Sequence, residues 1–511
     1  MVFVLFSTLS FFLTIYAYEL SYARLGVEDE LLNDQYSHLQ IITEEEHPVL
    51  SGYHAKVGDH IVDTIKNTES FQVFEQKGET DSDMGNIEIR NIAAFKKSVQ
   101  SEETILLSAH YDSETGSFGA NDNGVAVASM LAIMKKYDSI DLNKNLLFLF
   151  PDAEEQGLAG SRFFLDNIDK SDYGEIEYVF NFEARGAGGP VFMFESVNAD
   201  DQDVNQLISK VDVVNNHSLA TEIYKRLPND SDLSVFKEIG VPGYNFGYFH
   251  GYYAYHTPED NLQNTSRSTR SQYVKIMENI VDQYALQDIH ESRSVLPGSL
   301  IHFSVFTGKD IQINSSVIML VGLTLMTINL FLFRKSILKI SFKKFIVESG
   351  YVVPSIVSLG ILALVLGMIM KFAVFLSESM VLISIGVLFS VSLIVNLGVV
   401  MYRKTFVVHK FIVYLVGLLS LLLVQFLYFI ALSYILLMIS QILIKLVTNQ
   451  RGRVVIVVLC VLFISLIHAP IVWSVAWILD NRIVSYFAIL LLSWITSMFF
   501  MFNTEILFLK K

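Results

Sequence analysis

Residues 104–124 read TILLSAHYDSETGSFGANDNG, and this stretch decides the fold. Thr104–Ala109 is a short apolar run with no polar face, the pattern of a strand buried on both sides. It ends in Ser108-Ala109-His110-Tyr111-Asp112-Ser113 and leads into the loop Gly119-Ala120-Asn121-Asp122-Asn123-Gly124. From Gly124 to Tyr137 the apolar residues Val125, Ala128, Leu131 and Met134 recur at helical spacing. Strand, polar loop and helix in this order form the repeating unit of an α/β fold.

The unit recurs along the chain. Asn145–Phe150 (NLLFLF) reads as a second strand, Gly157–Asn167 as a helix, Ile176–Phe182 as a third strand and Val191–Phe194 as a fourth. A helix near 231–239 precedes a strand at Tyr244–Tyr248, and Ser266–Gln287 reads as a closing helix. The expected fold is α/β, with a mixed, mostly parallel central sheet flanked by helices. In such sheets sites form beyond the carboxyl ends of the strands, and the polar residues collect there. The second strand ends in Pro151-Asp152-Ala153-Glu154-Glu155-Gln156-Gly157 and the third in Asn181-Phe182-Glu183-Ala184-Arg185-Gly186. A later loop reads Tyr255-His256-Thr257-Pro258-Glu259-Asp260-Asn261.

Successive loops thus present His, Asp, Glu-Glu, Glu and His. Carboxylate oxygens and imidazole nitrogens suit zinc. The set is too acidic for a three-histidine site and has enough ligands for two metals sharing a bridging carboxylate. In a Glu-Glu pair one carboxylate can bind metal while its neighbour takes a proton from an activated water.

These segments resemble the two-zinc aminopeptidase, glutamate carboxypeptidase and glutaminyl cyclase family. The His-x-Asp, Gly-Ala-x-Asp-Asn, Glu-Glu and Tyr-His-Thr segments occur in the family's order over roughly residues 50–290. The run Asn181-Phe182-Glu183-Ala184-Arg185-Gly186-Ala187-Gly188-Gly189, with the apolar spans that follow, is most similar to the vacuolar membrane protease and endoplasmic-reticulum metallopeptidase branch. The resemblance implies two zinc ions, with His110 and Glu183 on one, Glu155 and His256 on the other, and Asp122 bridging both. It implies Glu154 as general base and then proton donor to the leaving amine. Asp112 orients His110, Tyr255 hydrogen-bonds the developing oxyanion, and the Asp122–Asn123 peptide is cis. The implied activity is peptide-bond hydrolysis of the aminopeptidase, exopeptidase type. The rival readings are a single-zinc glutaminyl-peptide cyclase and a non-catalytic receptor or transporter-associated relative. Many members carry Asp where this chain has Glu183. Arg185 stands where a small residue is common, and it either binds a substrate carboxylate or pairs with a nearby acid.

The 511 residues divide by charge. Residues 1–316 hold 22 Lys+Arg against 48 Asp+Glu, a net of −26, and residues 317–511 hold 15 against 4, a net of +11. The acidic part argues against a nucleic-acid partner, which attracts basic surfaces. The C-terminal part holds apolar stretches at about 317–333, 351–376, 380–401, 411–428, 430–447, 454–478 and 483–507. Each approaches the length that crosses a bilayer of ~30 Å. The run 411–447 is too long for one span and reads as a tight hairpin. An all-α membrane domain of about seven helices at 317–507 puts every basic cluster on one face: Arg334 to Lys344, Arg403 to Lys410, Lys445 to Arg453, and Lys510 with Lys511. The excess of basic residues marks that face as cytoplasmic. A peptidase domain at 25–310 then lies extracytoplasmically, and residues 1–18 form a transmembrane anchor or a signal peptide. Cys460 is the one cysteine. A cysteine-free ectodomain favours a bacterial cell membrane, with the vacuolar or endoplasmic-reticulum membrane as the eukaryotic location.

Other polar residues have plainer readings. His54, His217 and His250 read as surface or core histidines, and Asp81, Asp83 and Glu44–Glu46 as solvated charges. Asp230 and Asp232 either line the pocket or cap a helix. Gly186, Gly188 and Gly189 mark a tight turn, and the aromatic residues of Tyr244–Tyr255 either shape a pocket or pack. Asn216, Asn229, Asn264 and Asn314 open Asn-x-Ser/Thr sites that matter only in a eukaryotic secretory pathway.

Overall fold

The structure is a computed structural model. It describes residues 27–168, 170–211, 215–218, 221, 224, 230–287, 300–306, 309–337, 343, 346, 414, 415 and 417–478, with 9, 10, 13, 14, 16, 17, 20 and 21. Two compact units result, one covering Glu19–Val295 and Phe306–Asp310, the other the remainder.

The first unit opens with helices α1 (Asp29–Ile42) and α2 (Gly52–Lys66), the latter capped by Ser51, whose hydroxyl accepts from the His54 amide at 3.1 Å. A long hairpin, β1 (Gln72–Ser82) and β2 (Gly85–Lys96), precedes β3 (Glu103–Ser108), α3 (Val125–Tyr137) and β4 (Asn145–Phe150). Then follow α4 (Ala159–Asp166), β5 (Glu175–Phe182), β6 (Phe192–Val197), α5 (Asp201–Lys210) and β7 (Asn215–Asn216). The unit closes with α6 (Asp232–Phe236), β8 (Gly243–Gly247) and α7 (Arg267–Ile280). The strands form one eight-stranded sheet in the order β1-β2-β4-β3-β5-β8-β6-β7. Its centre, β4-β3-β5-β8, is parallel, while β1, β2 and β6 pair antiparallel to a neighbour. The mixed, mostly parallel sheet expected from sequence is therefore present, with each expected strand within a few residues of its place.

Side-chain alternation divides the core in two. Ile105, Leu107, Leu146, Phe148 and Phe150 face a layer built from α1, α2, α3 and α7, while Leu106, Leu147 and Leu149 face Phe164 of α4 with Leu233 and Phe236 of α6. Both faces of β3 and β4 are thus dry, which is why these strands read as unbroken apolar runs. Strand β1 lies at the sheet edge, and Glu75, Lys77, Glu79 and Asp81 along it make an edge that resists further pairing.

Strands β9 (Leu300–Phe306) and β10 (Lys309–Asn314) pair and lead into helix α8 (Ser315–Ile337) of the second unit. Helix α9 (Val424–Leu446) packs on α8, and α10 (Gln450–Ile478) packs on α9. Among the described residues Ser315–Leu332 is long and apolar enough to cross a membrane, by length and composition, and Ile430–Leu446 is a shorter apolar stretch. The expected turn near residue 429 is not where the chain breaks. Residues 424–446 run as one helix and the break falls at Leu423, since neither Gly nor Pro marks a boundary nearby. The expected spans at 351–376, 380–401 and 483–507 lie outside the described residues.

One packing contact bears on the site. Helix α4 lies against the loop after β4, and a Cβ on Gly160 would fall 2.0 Å from the Asp152 carbonyl oxygen and 2.6 Å from Asn91 Oδ1. Asn91 joins the pieces: its Nδ2 donates to the Gly160 carbonyl at 2.8 Å and its Oδ1 accepts from the Asp152 amide at 3.0 Å. Gly160→Ala is expected to destabilise the protein by about 1–3 kcal/mol through overpacking. Gly52→Ala, where nothing lies within 4 Å of the added carbon, is expected to leave stability nearly unchanged. Thermal unfolding of the two variants beside the parent checks the contrast.

Candidate active site

Four parallel strands deliver polar residues to one end of the sheet. Just past β3, His110 Nδ1 lies 3.1 Å from the carbonyl oxygen and 3.4 Å from Oδ1 of Asp112. The same Asp112 carboxylate accepts the amide of Glu154 at 3.0 Å and that of Glu155 at 3.2 Å, tying the loop after β4 to the loop after β3. Ala153, just before the glutamates, holds a left-handed φ of 54°, which turns the chain so that both follow in one tight turn. Glu183 leaves β5 with its amide on the Phe246 carbonyl of β8 at 2.8 Å, and its own carbonyl accepts the Tyr273 hydroxyl from α7.

The turn Ala120–Gly124 before α3 carries Asp122, and the Asp122–Asn123 peptide is cis, as the resemblance implies. Asp260 holds this turn. Its carboxylate accepts the Asn121 amide at 2.7 Å, Asn121 Nδ2 at 2.8 Å and the Asp122 amide at 3.1 Å. Through the same chain segment it fixes His256, whose φ of 56° is strained for a residue with a side chain.

These constraints converge on Asp122. Its Oδ1 lies 3.5 Å from His110 Nε2, and its Oδ2 lies 3.3 Å from His256 Nε2. Glu183 Oε2 stands 3.6 Å from His110 Nε2, and Glu155 Oε1 stands 3.1 Å from His256 Nε2. His110, Asp122 and Glu183 form one group that can hold a metal ion, and His110 groups in the same way with Glu154 and Glu155. Glu155 and His256 form a third group with Glu114, a residue the sequence reading did not single out. Tyr255 stacks on His256 with ring centroids 3.7 Å apart. All of the expected site residues are brought together at this end of the sheet.

Burial and crowding distort the protonation equilibria. Burial pulls His110 down, but hydrogen bonds with Asp112, Asp122 and Glu183 hold it well above its ordinary value. Asp122, against the penalty of burial, is brought to about 2 by the two histidines. Glu155 rises to about 7 through burial, with Asp122 adding repulsion and His256 partly offsetting it. Glu154 is raised well above its ordinary value by burial and by repulsion from Glu183, Glu155 and Asp232. Asp232 rises to about 7 and Asp260 to about 6, burial being the main cause in each.

A pocket opens beside this cluster, lined by Asp122, Glu154, Glu183, Arg185, Phe194, Tyr224, Asp230, Ser231 and Tyr255. Arg185 is half-buried and lies over the Tyr255 ring, 5.8 Å from its centroid. The expected alternative of a pairing acid is not met among the described residues. Ser231 caps α6 while Asp232, the first residue of that helix, is buried and accepts the Ser161 hydroxyl at 2.6 Å. The histidines set aside in the sequence are all buried. His54 donates to or accepts from Asp152 Oδ1 at 2.8 Å and stacks on Tyr111, behind the loops that carry His110 and Glu154.

The sequence has relatives. A vacuolar membrane protease from Eremothecium gossypii is 28% identical over 264 residues, a match covering 47% of this chain and 25% of that protein. The chain spans about a quarter of the length of the curated relatives it matches. Among solved structures, an aminopeptidase from an Aneurinibacillus strain superposes with a TM-score of 0.42 at 14% identity, covering 52% of this chain and 96% of that one. A glutaminyl cyclase from Porphyromonas gingivalis does so at 0.41 and 19%, covering 49% and 98%. Residues 91–281 match peptidase family M28, so the chain resembles that family over the segment that carries His110, Asp122, Glu154, Glu155, Glu183 and His256.

Proposed function

We propose that the chain is a membrane-anchored zinc metallopeptidase that hydrolyses peptide bonds as an aminopeptidase-type exopeptidase. The observation that carries this reading is the position of Asp122, whose two carboxylate oxygens each face a different histidine, each histidine in turn facing a different glutamate. Donor atoms 3.1–3.6 Å apart suit the edges of a tetrahedron with bonds of ~2.0–2.1 Å. Glu155 Oε1 and His256 Nε2 are buried and lack a hydrogen-bond partner, which fits a shared cation. Two zinc ions are proposed, one on His110 and Glu183 and one on Glu155 and His256, with Asp122 shared. When bound, such a pair supplies Lewis acidity that polarises the scissile carbonyl and makes water acidic.

The remaining steps belong to the chain. Glu154 takes a proton from the attacking water and returns it to the leaving amine. Its raised affinity for protons in the crowded site suits both halves of that cycle. Asp112 holds the His110 ring and the backbone of both glutamates. The Tyr255 hydroxyl donates to the developing oxyanion. Residues 25–310 are proposed to lie outside the cytoplasm, with residues 1–18 as anchor or signal peptide and about seven spans in 317–507. The apolar helix Ser315–Leu332 and the name of the Eremothecium gossypii relative support membrane attachment.

The full-length protein, purified in detergent, is expected to bind two zincs per chain and to cleave short peptides. Glu154→Gln should keep the metal and lose about 10²- to 10⁴-fold in kcat/KM, while His256→Ala should lose metal. Undiminished turnover in Glu154→Gln would overturn the reading.

Zinc should also reverse a pH-dependent weakness. In the metal-free chain Glu155, Asp232 and Asp260 hold protons up to about pH 7, 7 and 6, whereas unfolded carboxyls lose them near pH 4. Raised acids give stability that is complete below the unfolded value and is lost as pH rises through the folded one. Metal-stripped protein is therefore expected to melt at lower temperature at pH 8 than at pH 5. The gain in Tm on adding zinc should be larger at pH 8, since ligands must shed protons to bind. An equal or larger gain at pH 5 would contradict the assignment of Glu155 to a metal site.

A further inference from the structure

Among the described residues Arg185 is the one guanidinium lining the pocket, and they offer it no acidic partner. Its backbone is fixed, the amide donating to the Tyr248 carbonyl at 3.0 Å, and its charge lies over the Tyr255 ring. Taking a guanidinium partly out of water without an anion is costly. Glu183 and Asp122, which line the same pocket, both belong to the proposed metal cluster. Once those carboxylates hold cations, they no longer offset Arg185. Asp230, also on the pocket wall, is exposed and makes no ion pair with it. The pocket is left with an uncompensated planar cation beside Glu154, the group assigned to protonate the leaving amine.

Resting on the peptidase reading, we propose that Arg185 is a specificity residue that binds a carboxylate on the residue released by hydrolysis, so that the preferred substrates are dipeptides and peptides acidic at that position. A guanidinium over an aromatic ring, with no acid taking its N–H groups, keeps a planar fork of donors that matches a carboxylate. Phe194 and Tyr224 close the pocket as its apolar wall, beside the charged groups. The carboxylate has two sources, the free α-carboxyl of a dipeptide and the side chain of Asp or Glu, which the amide of each peptide separates.

The test uses full-length zinc-loaded protein with Ala-Ala, Ala-Ala amide and Ala-Glu amide, in the parent and in Arg185→Gln and Arg185→Lys. The parent is expected to prefer Ala-Ala or Ala-Glu amide over Ala-Ala amide. Arg185→Gln should remove about 10- to 100-fold of kcat/KM for the carboxylate-bearing substrate, mainly through KM, and leave Ala-Ala amide turnover nearly unchanged. Loss on Ala-Ala identifies the terminal carboxyl, and loss on Ala-Glu amide the side chain. Arg185→Lys, which keeps the charge without the fork, should fall between. Calorimetric binding of the same peptides to zinc-loaded Glu154→Gln, with and without Arg185→Gln, reads the contact without turnover and should weaken by the same factor. Equal losses on all three substrates, with metal content intact, would assign Arg185 to packing and overturn the inference while leaving the peptidase reading in place. No hydrolysis of any peptide by the parent would instead remove the peptidase reading on which it rests.

Discussion

Mutual repulsion among buried carboxylates is the constraint on which the arrangement of the site depends. Asp112, Asp122, Glu154, Glu155, Glu183, Asp232 and Asp260 crowd the ends of a few strands, and five of them are buried. Two like charges ~4 Å apart repel by about 4 kcal/mol at an effective dielectric of 20, against a total stability of about 5–15 kcal/mol for a domain. The chain answers in two ways. Asp112 and Asp260 are filled by backbone amides, and Asp122 lies between two histidines. Glu154 and Glu155 receive no comparable hydrogen-bond donors and are left demanding protons or cations.

The sheet order explains how remote residues meet. Strands β4 and β8 are separated by β3 and β5, roughly 14 Å at the usual strand spacing, yet Glu155 and His256 approach to 3.1 Å. The chain after β8 must therefore run back across the top of the sheet. Asp260 pins it to the turn before α3, and the left-handed backbone of His256 aims the ring inward. Strain at His256 is sustained because both flanks are held, with Tyr255 stacked on the ring and Asp260 bonded across the turn.

Legibility in the sequence followed burial. Strands β3, β4 and β5 stood out because both sheet faces are covered, which leaves runs such as NLLFLF without a polar side. The hairpin β1–β2 did not, since its outer strand alternates between solvent and partial cover and carries charges that resemble those of a loop. The expected site residues were readable as types at strand ends. Asp260, Tyr273 and the His54–Asp152 pair were not, because each acts on backbone or on another side chain across a long sequence separation. Glu114 lies in a loop whose path over Glu155 and His256 no local pattern reveals. In the apolar C-terminal part the break at Leu423 was missed for a different reason: with apolar residues on every face, neither period nor punctuation marks where one helix stops.

Asp112 shows why the motif around His110 and the Glu-Glu pair occur together. The resemblance assigned Asp112 to the orientation of His110, and its carbonyl and Oδ1 do lie beside Nδ1. Its two carboxylate oxygens also hold the amides of Glu154 and Glu155, one each. A single buried acid therefore sets the ring of one proposed ligand, the backbone of a second and the backbone of the proposed base. The distance between base and metal cluster becomes a property of one side chain rather than of two independently mobile loops. This is the economy of a parallel sheet: adjacent strands end side by side, so one short residue can register the loops of both.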